Sequence, residues 1–212
     1  MAYYLSPGQK YKIGAHRKIP NILNEEELNA LLALPNLDCP SGFRNYCMMK
    51  IMVNTGVRSA ELVALKIGDI DWMSGKLTVR MGKGRKDRVL WMNEDDLEML
   101  KEWREVKPDG PGGYLFPTLK GRQLQPRYLR AMLRNLGQKA GIEDKSVYPH
   151  IFRHTFATDL LRATKNLRIV QKALGHASIQ TTQIYTHIVD EELEDAMKTF
   201  RNPRLVDIHE RT

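Results

Sequence analysis

Residues 149–161 read Pro-His-Ile-Phe-Arg-His-Thr-Phe-Ala-Thr-Asp-Leu-Leu, and the fold turns on them. After Pro149, Phe152, Phe156 and Leu160 recur at i, i+4 and i+8. That spacing predicts a helix with an aromatic core stripe. His150 and Arg153 fall off the stripe, three positions apart and so neighbours on the helix surface. A core helix that shows a histidine and an arginine on another face marks a candidate site.

The reading extends to both sides. Downstream, the sequence predicts two further helices over 166–174 and 179–185, joined by Gly175-His176-Ala177-Ser178. Leu193, Ala196, Met197 and Phe200 stripe an acidic helix near the end of the chain. Upstream, residues 125–140 place Leu129, Met132, Leu133, Leu136 and Ala140 on one face and Arg127, Arg130 and Arg134 on another. Residues 94–106 are also helical, and 108–117 are rich in turn residues. Between helices the period changes to two. Residues 69–72, 76–80 and 88–92 read as three short strands, with turns at Ser74-Gly75 and across 82–87. Near the start, Asn24 and Glu27 form a capping-box pattern for a helix that ends at Pro35. A second helix runs from about 43 to 54 and stops at Gly56. Ser59 can cap a short third helix with Leu62, Val63 and Leu65 inward. Arg58 thereby stands at a helix–helix junction, next to amide donors. The predicted class is α+β, mainly α-helical, with a small three-stranded antiparallel sheet.

The chain has 212 residues and a formal charge of +8, with a pI near 9.5. The charge is segregated. Residues 120–173 carry twelve lysines and arginines against three acids, whereas 190–200 carry five acids and one lysine. A basic body with an acidic appendage fits a polyanionic partner such as DNA. Cys39 and Cys47 are the only cysteines, too few for a disulfide framework or a zinc set. No signal-peptide pattern and no run of membrane-span length is present, so a soluble, cytoplasmic protein with no membrane partner is expected.

Read in order, Arg58, Lys83, His150, Arg153, His176 and Tyr185 supply the parts for cutting and rejoining a phosphodiester. Arginine forks onto two phosphate oxygens and stays charged, so Arg58 and Arg153 are the candidate pair. A phenol needs a cationic field or a base before it attacks. His150 could take its proton, His176 could bond the phosphate, and Lys83 on a Gly-flanked tip could protonate the departing oxygen. Arg85 and Lys86 on that tip, and Arg127, Arg130 and Arg134, are candidates for phosphate contacts; each set can also be read as a solvated basic surface. A metal is disfavoured. His150 and His154 are four apart, but no glutamate follows the first, Arg153 lies between them, and no third ligand is in view. His154 reads as a packed or hydrogen-bonding histidine. No cofactor is expected.

Four strings in this order resemble the catalytic domain of the tyrosine recombinase family, the phage-integrase and Xer-like enzymes. They are TGVRSAELVALKIGDID at 55–71, MGKGRKDRVL at 81–90, HIFRHTFATDLL at 150–161 and LGHASIQTTQIYTHI at 174–188. The resemblance covers about residues 20–200. It implies that Arg58, His150, Arg153 and His176 bind and activate phosphate, that Lys83 is the general acid, and that Tyr185 forms a 3′-phosphotyrosine. Glu61 is then either support for Arg58 or a solvated helix acid. The resemblance also implies a site-specific recombinase or integrase acting on double-stranded DNA. A nicking–closing enzyme of type IB topoisomerase kind and a non-catalytic DNA-binding module are the alternatives. Residues 1–22 read as a basic arm or linker, 23–188 as the catalytic domain, and 189–212 as an acidic tail helix able to dock on a neighbouring protomer. The N-terminal core-binding domain usual in the family is not expected in this chain. A monomer in solution that forms a tetrameric synapse on DNA is the expected assembly.

Overall fold

A computed structural model describes residues 20–80, 87–176, 182, 185, 197 and 198. In chain order the elements are α1 (Glu25–Ala33), α2 (Pro40–Thr55), α3 (Ser59–Leu62), a 3-10 turn (Ile67–Asp69), β1 (Ile70–Asp71), β2 (Lys76–Val79), β3 (Arg88–Trp91), α4 (Glu94–Val106), α5 (Pro126–Lys139), α6 (Pro149–Thr164) and α7 (Leu167–Leu174). The expected class holds: a mainly helical body with one antiparallel sheet of order β1-β2-β3. Leu77 sits in register with Ile70 on one side and Leu90 on the other. These three side chains face the core, whereas the alternate residues Val89 and Trp91 are exposed. That is the two-residue period of a half-buried sheet.

Local chemistry fixes the helix ends. Asn24 Oδ1 accepts from the Glu27 amide at 2.8 Å, and Glu27 Oε2 accepts from the Asn24 amide at 2.8 Å. α2 starts at Pro40, three residues earlier than the sequence pattern suggests. Proline suits this first position, because its missing N–H would have no helical partner. α2 ends at Gly56, whose φ of 60° is the left-handed conformation. Asn93 and Asn166 cap α4 and α7 through their side chains. Arg58 itself, rather than Ser59, occupies the N-cap position of α3.

The main core gathers around α2, which packs on both α4 and α6. Met48, Met49, Ile51 and Met52 are fully buried there with Trp103, Phe116 and Phe152. A smaller cluster joins Ala157 and Leu161 of α6 to Val170 and Leu174 of α7 and to Tyr185. Among the described residues no helix is long and apolar enough to cross a membrane. The tail helix expected over 189–212 lies outside the described residues, except Met197 and Lys198, which are helical. The arm at 1–22 is outside them up to residue 19.

Candidate active site

Gly56 sets the geometry at the end of α2. A Cβ at this position would meet the Phe156 ring at 2.2 Å, so a glycine is required here on two counts, contact and φ. The chain then turns through Val57 into Arg58. Glu61, one turn into α3, holds Arg58 in place: its Oε2 accepts from the Arg58 amide at 2.7 Å and its Oε1 from the Arg58 guanidinium at 2.8 Å.

The same carboxylate takes a second arginine. Arg88 of β3 donates to Glu61 Oε1 at 2.9 Å and to Oε2 at 2.7 Å, while its Nε donates to the Ala173 carbonyl of α7 at 2.9 Å. Arg88 therefore ties α3, β3 and the end of α7 together. Burial alone would raise the Glu61 carboxyl. The Arg88 hydrogen bonds and charge, with those of Arg58, outweigh it and lower the pKa to about 2. Glu61 is thus a paired, ionised support and not a solvated acid. The sequence reading passes over Arg88. A signal was present, because Arg88 falls on the same inward register as Leu90, where a lone arginine demands a buried partner.

Arg153 is buried at 5% exposure. It donates to the Gly56 carbonyl at 2.5 Å, to the Leu174 carbonyl at 2.7 Å and to His176 Nε2 at 3.1 Å. Three of its five N–H donors are so used. Guanidinium cannot accept, so His176 Nε2 is the acceptor and its proton sits on Nδ1, facing Thr182 Oγ1 at 3.0 Å. Burial, then Arg153, Arg58 and Arg88, lower the His176 pKa to about 4. Burial, then the Arg58 and Arg88 charges, lower Arg153 to about 10, still protonated at neutral pH.

Tyr185 is 1% exposed. Burial pushes its phenol up to about 12, against the pull of Arg153. Its hydroxyl partner is His154 Nδ1 at 2.7 Å. The sequence names His150 as a group that could take the phenol's proton. His150 is instead exposed at the first turn of α6, edge-on to Tyr148 at 6.3 Å between ring centroids. Lost hydration and then the charges of Arg153 and Arg58 hold its pKa below the usual value. Lys83, Arg85 and Lys86 lie outside the described residues. Arg127, Arg130 and Arg134 are all exposed on α5, apart from this cluster. Arg44 braces that helix by donating to Tyr128 Oη at 2.7 Å and to the Pro117 carbonyl at 2.8 Å. Among the described residues no three His, Cys, Asp or Glu side chains gather as a metal set. A cleft of about 540 Å³ between the end of α5 and the segment 142–147 shares no residue with the cluster around Arg153.

The site thus assembles from separate segments: the α2–α3 junction, β3, α6, the end of α7 and Tyr185. The model of the phage integrase family matches residues 21–192, a span that contains all of them. Tyrosine recombinase XerD of Pseudomonas aeruginosa is 38% identical over 184 residues, which cover 84% of this chain and 61% of that protein. Tyrosine recombinase XerC of Xanthomonas axonopodis pv. citri is 36% identical over 174 residues, covering 82% and 56%. Among solved structures, XerA recombinase superposes with a TM-score of 0.75 at 37% identity, covering 88% of this chain and 68% of that one. XerH site-specific recombinase, bound to a palindromic difH substrate after cleavage, gives 0.72 at 37% identity, covering 86% and 54%. The chain spans about six-tenths of the length of the curated relatives it matches. A matched span that runs from α1 past Tyr185 and takes in each contributing segment places the chain in the phage integrase family.

Proposed function

We propose that this chain cuts and rejoins DNA strands as a site-specific recombinase or integrase, through a 3′-phosphotyrosine on Tyr185 and without a metal. The observation that carries the reading is the cationic cluster. Arg58, Arg88 and Arg153 are held by one carboxylate and by fixed carbonyls, with His150, His176 and Tyr185 beside them. Preorganised cations of this kind favour the charge that grows on a transferring phosphate. Arg58 and Arg153 bind the non-bridging oxygens, His150 donates a further hydrogen bond, His176 joins it by turning its one N–H from Thr182 to the phosphate, and Lys83 protonates the departing 5′ oxygen. Glu61 and Arg88 position Arg58. Residues 23–188 form the catalytic unit on double-stranded DNA, with 1–22 as a basic arm. Arg85, Lys86, Arg127, Arg130 and Arg134 contact backbone phosphates. The protein is a monomer in solution and assembles on DNA as a tetramer, with 189–212 docking on a neighbour.

A pool of nicked duplexes with a randomised centre tests the reading. A cleaved short strand diffuses away and traps the protein on DNA. The expected result is a covalent complex on a denaturing gel, insensitive to chelator and absent with Tyr185→Phe, and the captured strands give the site on sequencing. A covalent complex that persists in the phenylalanine variant refutes the assignment of Tyr185.

A further inference from the structure

The buried tyrosine has a titratable partner with no part in the reaction outlined above. His154 Nδ1 lies 2.7 Å from the phenol oxygen, and the two rings tilt at 54° with centroids 5.9 Å apart. A buried phenol hydrogen needs an acceptor. Among the described residues the atom within its reach is His154 Nδ1. The O–H therefore donates to Nδ1, and the imidazole keeps its own hydrogen on Nε2. Among the described residues, neither of the other two histidines is bonded to the phenol. His176 has one nitrogen on Arg153 and the other on Thr182. His150 is exposed and set against Tyr148.

We propose that His154 is a further catalytic residue, the base that takes the phenol proton from Tyr185 as the phenol oxygen attacks phosphorus. The proposal rests on the strand-transfer reading given above. Its steps balance. The Tyr185 O–H bond breaks and the proton moves to His154 Nδ1. The bond from the tyrosine oxygen to phosphorus forms, the bond from phosphorus to the 5′ oxygen breaks, and Lys83 protonates that oxygen. Rejoining runs the same transfers backwards, with the His154 imidazolium returning its proton to the departing phenol.

The resting electrostatics suit this role. Burial, then His150 and Arg153, hold His154 below the usual histidine pKa, so it is neutral and ready to accept. The phenol stands near 12, so the proton stays on the tyrosine until attack begins. As the oxygen becomes a phosphate-ester oxygen it loses its basicity, and a weak base then suffices.

The test uses the full chain and a nicked duplex captured from the randomised pool. The rate read is single-turnover formation of the covalent complex. His154→Ala is expected to slow it about 100-fold with DNA retention on filters unchanged. Added imidazole is expected to restore about tenfold of this, and more basic methylimidazoles to restore more. His154→Gln keeps an acceptor but cannot take a proton, so it is expected to be as slow as the alanine variant. A His154→Gln or His154→Ala rate within about threefold of the unsubstituted protein overturns the proposal. The tautomer in the free protein is read by nitrogen NMR of labelled histidine. A proton on Nδ1 overturns the proposal whatever the DNA result, and a bare Nδ1 supports it. Absence of any covalent complex with the unsubstituted protein overturns the strand-transfer reading and this proposal with it, whereas a complex formed at an undiminished rate by the His154 variants overturns this proposal alone.

Discussion

Replacing Glu61 by glutamine removes the one negative charge that Arg58 and Arg88 share while leaving the shape almost intact. The carboxyl stands at about 2 against an ordinary 4.5. At about 1.4 kcal/mol per pH unit, that gap corresponds to ~3 kcal/mol of stability tied to its ionisation. Breaking a buried ion pair from one side costs a similar 3–5 kcal/mol or so, because the surviving charges are left without a partner. Glu61→Gln should therefore lower stability by ~3 kcal/mol at pH 7. In urea, with a slope of ~3 kcal/mol per molar, the midpoint falls by ~1 M. The folded-state value is the lower one, so the contribution is complete above pH 4.5 and is lost as pH falls through about 2. The difference between parent and variant should shrink to under ~1 kcal/mol by pH 2.5. Arg88→Met in the same chain removes the stranded cation. The double variant should then lose less than the sum of the single losses, by ~1–3 kcal/mol. Equal urea midpoints at pH 7, a difference that does not narrow towards pH 2.5, or strict additivity would each refute the shared-carboxylate account.

Further expectations follow from single features. Gly56→Ala meets both a φ of 60° and the Phe156 ring; a loss of ~2–4 kcal/mol and slower covalent-complex formation are expected, and an unchanged melting temperature contradicts the close packing. Lys165 is the one described non-glycine residue with positive φ, at 52°; Lys165→Gly should raise stability by up to ~1 kcal/mol in thermal unfolding. Removing Arg127, Arg130 and Arg134 together should flatten the salt dependence of DNA binding by about three in the log–log slope, and an unchanged slope takes α5 off the DNA.

Where local spacing carries the information, the sequence was legible. The capping pair at Asn24 and Glu27, the stop at Gly56 and the alternating strands all depend on neighbours a few positions away, whereas of the stripe Phe152, Phe156 and Leu160 only Phe152 is fully buried, because α6 also turns Ile151, Ala157 and Leu161 inward. The start of α2 was not legible. Ser41-Gly42 after Pro40 looks like a turn, yet a Cβ at Gly42 would lie 1.9 Å from the Asn36 carbonyl oxygen. That glycine lets the first turn of α2 pack against the backbone of the preceding loop, a fit that apolar periodicity does not express. The site divides in the same way. The order of Arg58, His150, Arg153, His176 and Tyr185 is written in the chain, but the partners that fix them are not. Arg88 reaches Glu61 across 27 positions and Ala173 across 85, and His154 meets Tyr185 across 31.

These long-range partners also account for how so many cations can be held close together. Arg58, Arg88 and Arg153 repel one another, and burial adds to the cost of each. Glu61 is shared by the first two, while the third is bonded to the Gly56 and Leu174 carbonyls and feels the Glu61 charge from further off. Three guanidinium charges against one carboxylate leave the cluster with excess positive charge, beside His176 and near Tyr185. A phosphodiester entering there would offset part of that excess without displacing Glu61. On the proposed reading, the carboxylate would allow the arginines to be fixed before a phosphate arrives, and the remaining excess of positive charge would draw that phosphate to the tyrosine.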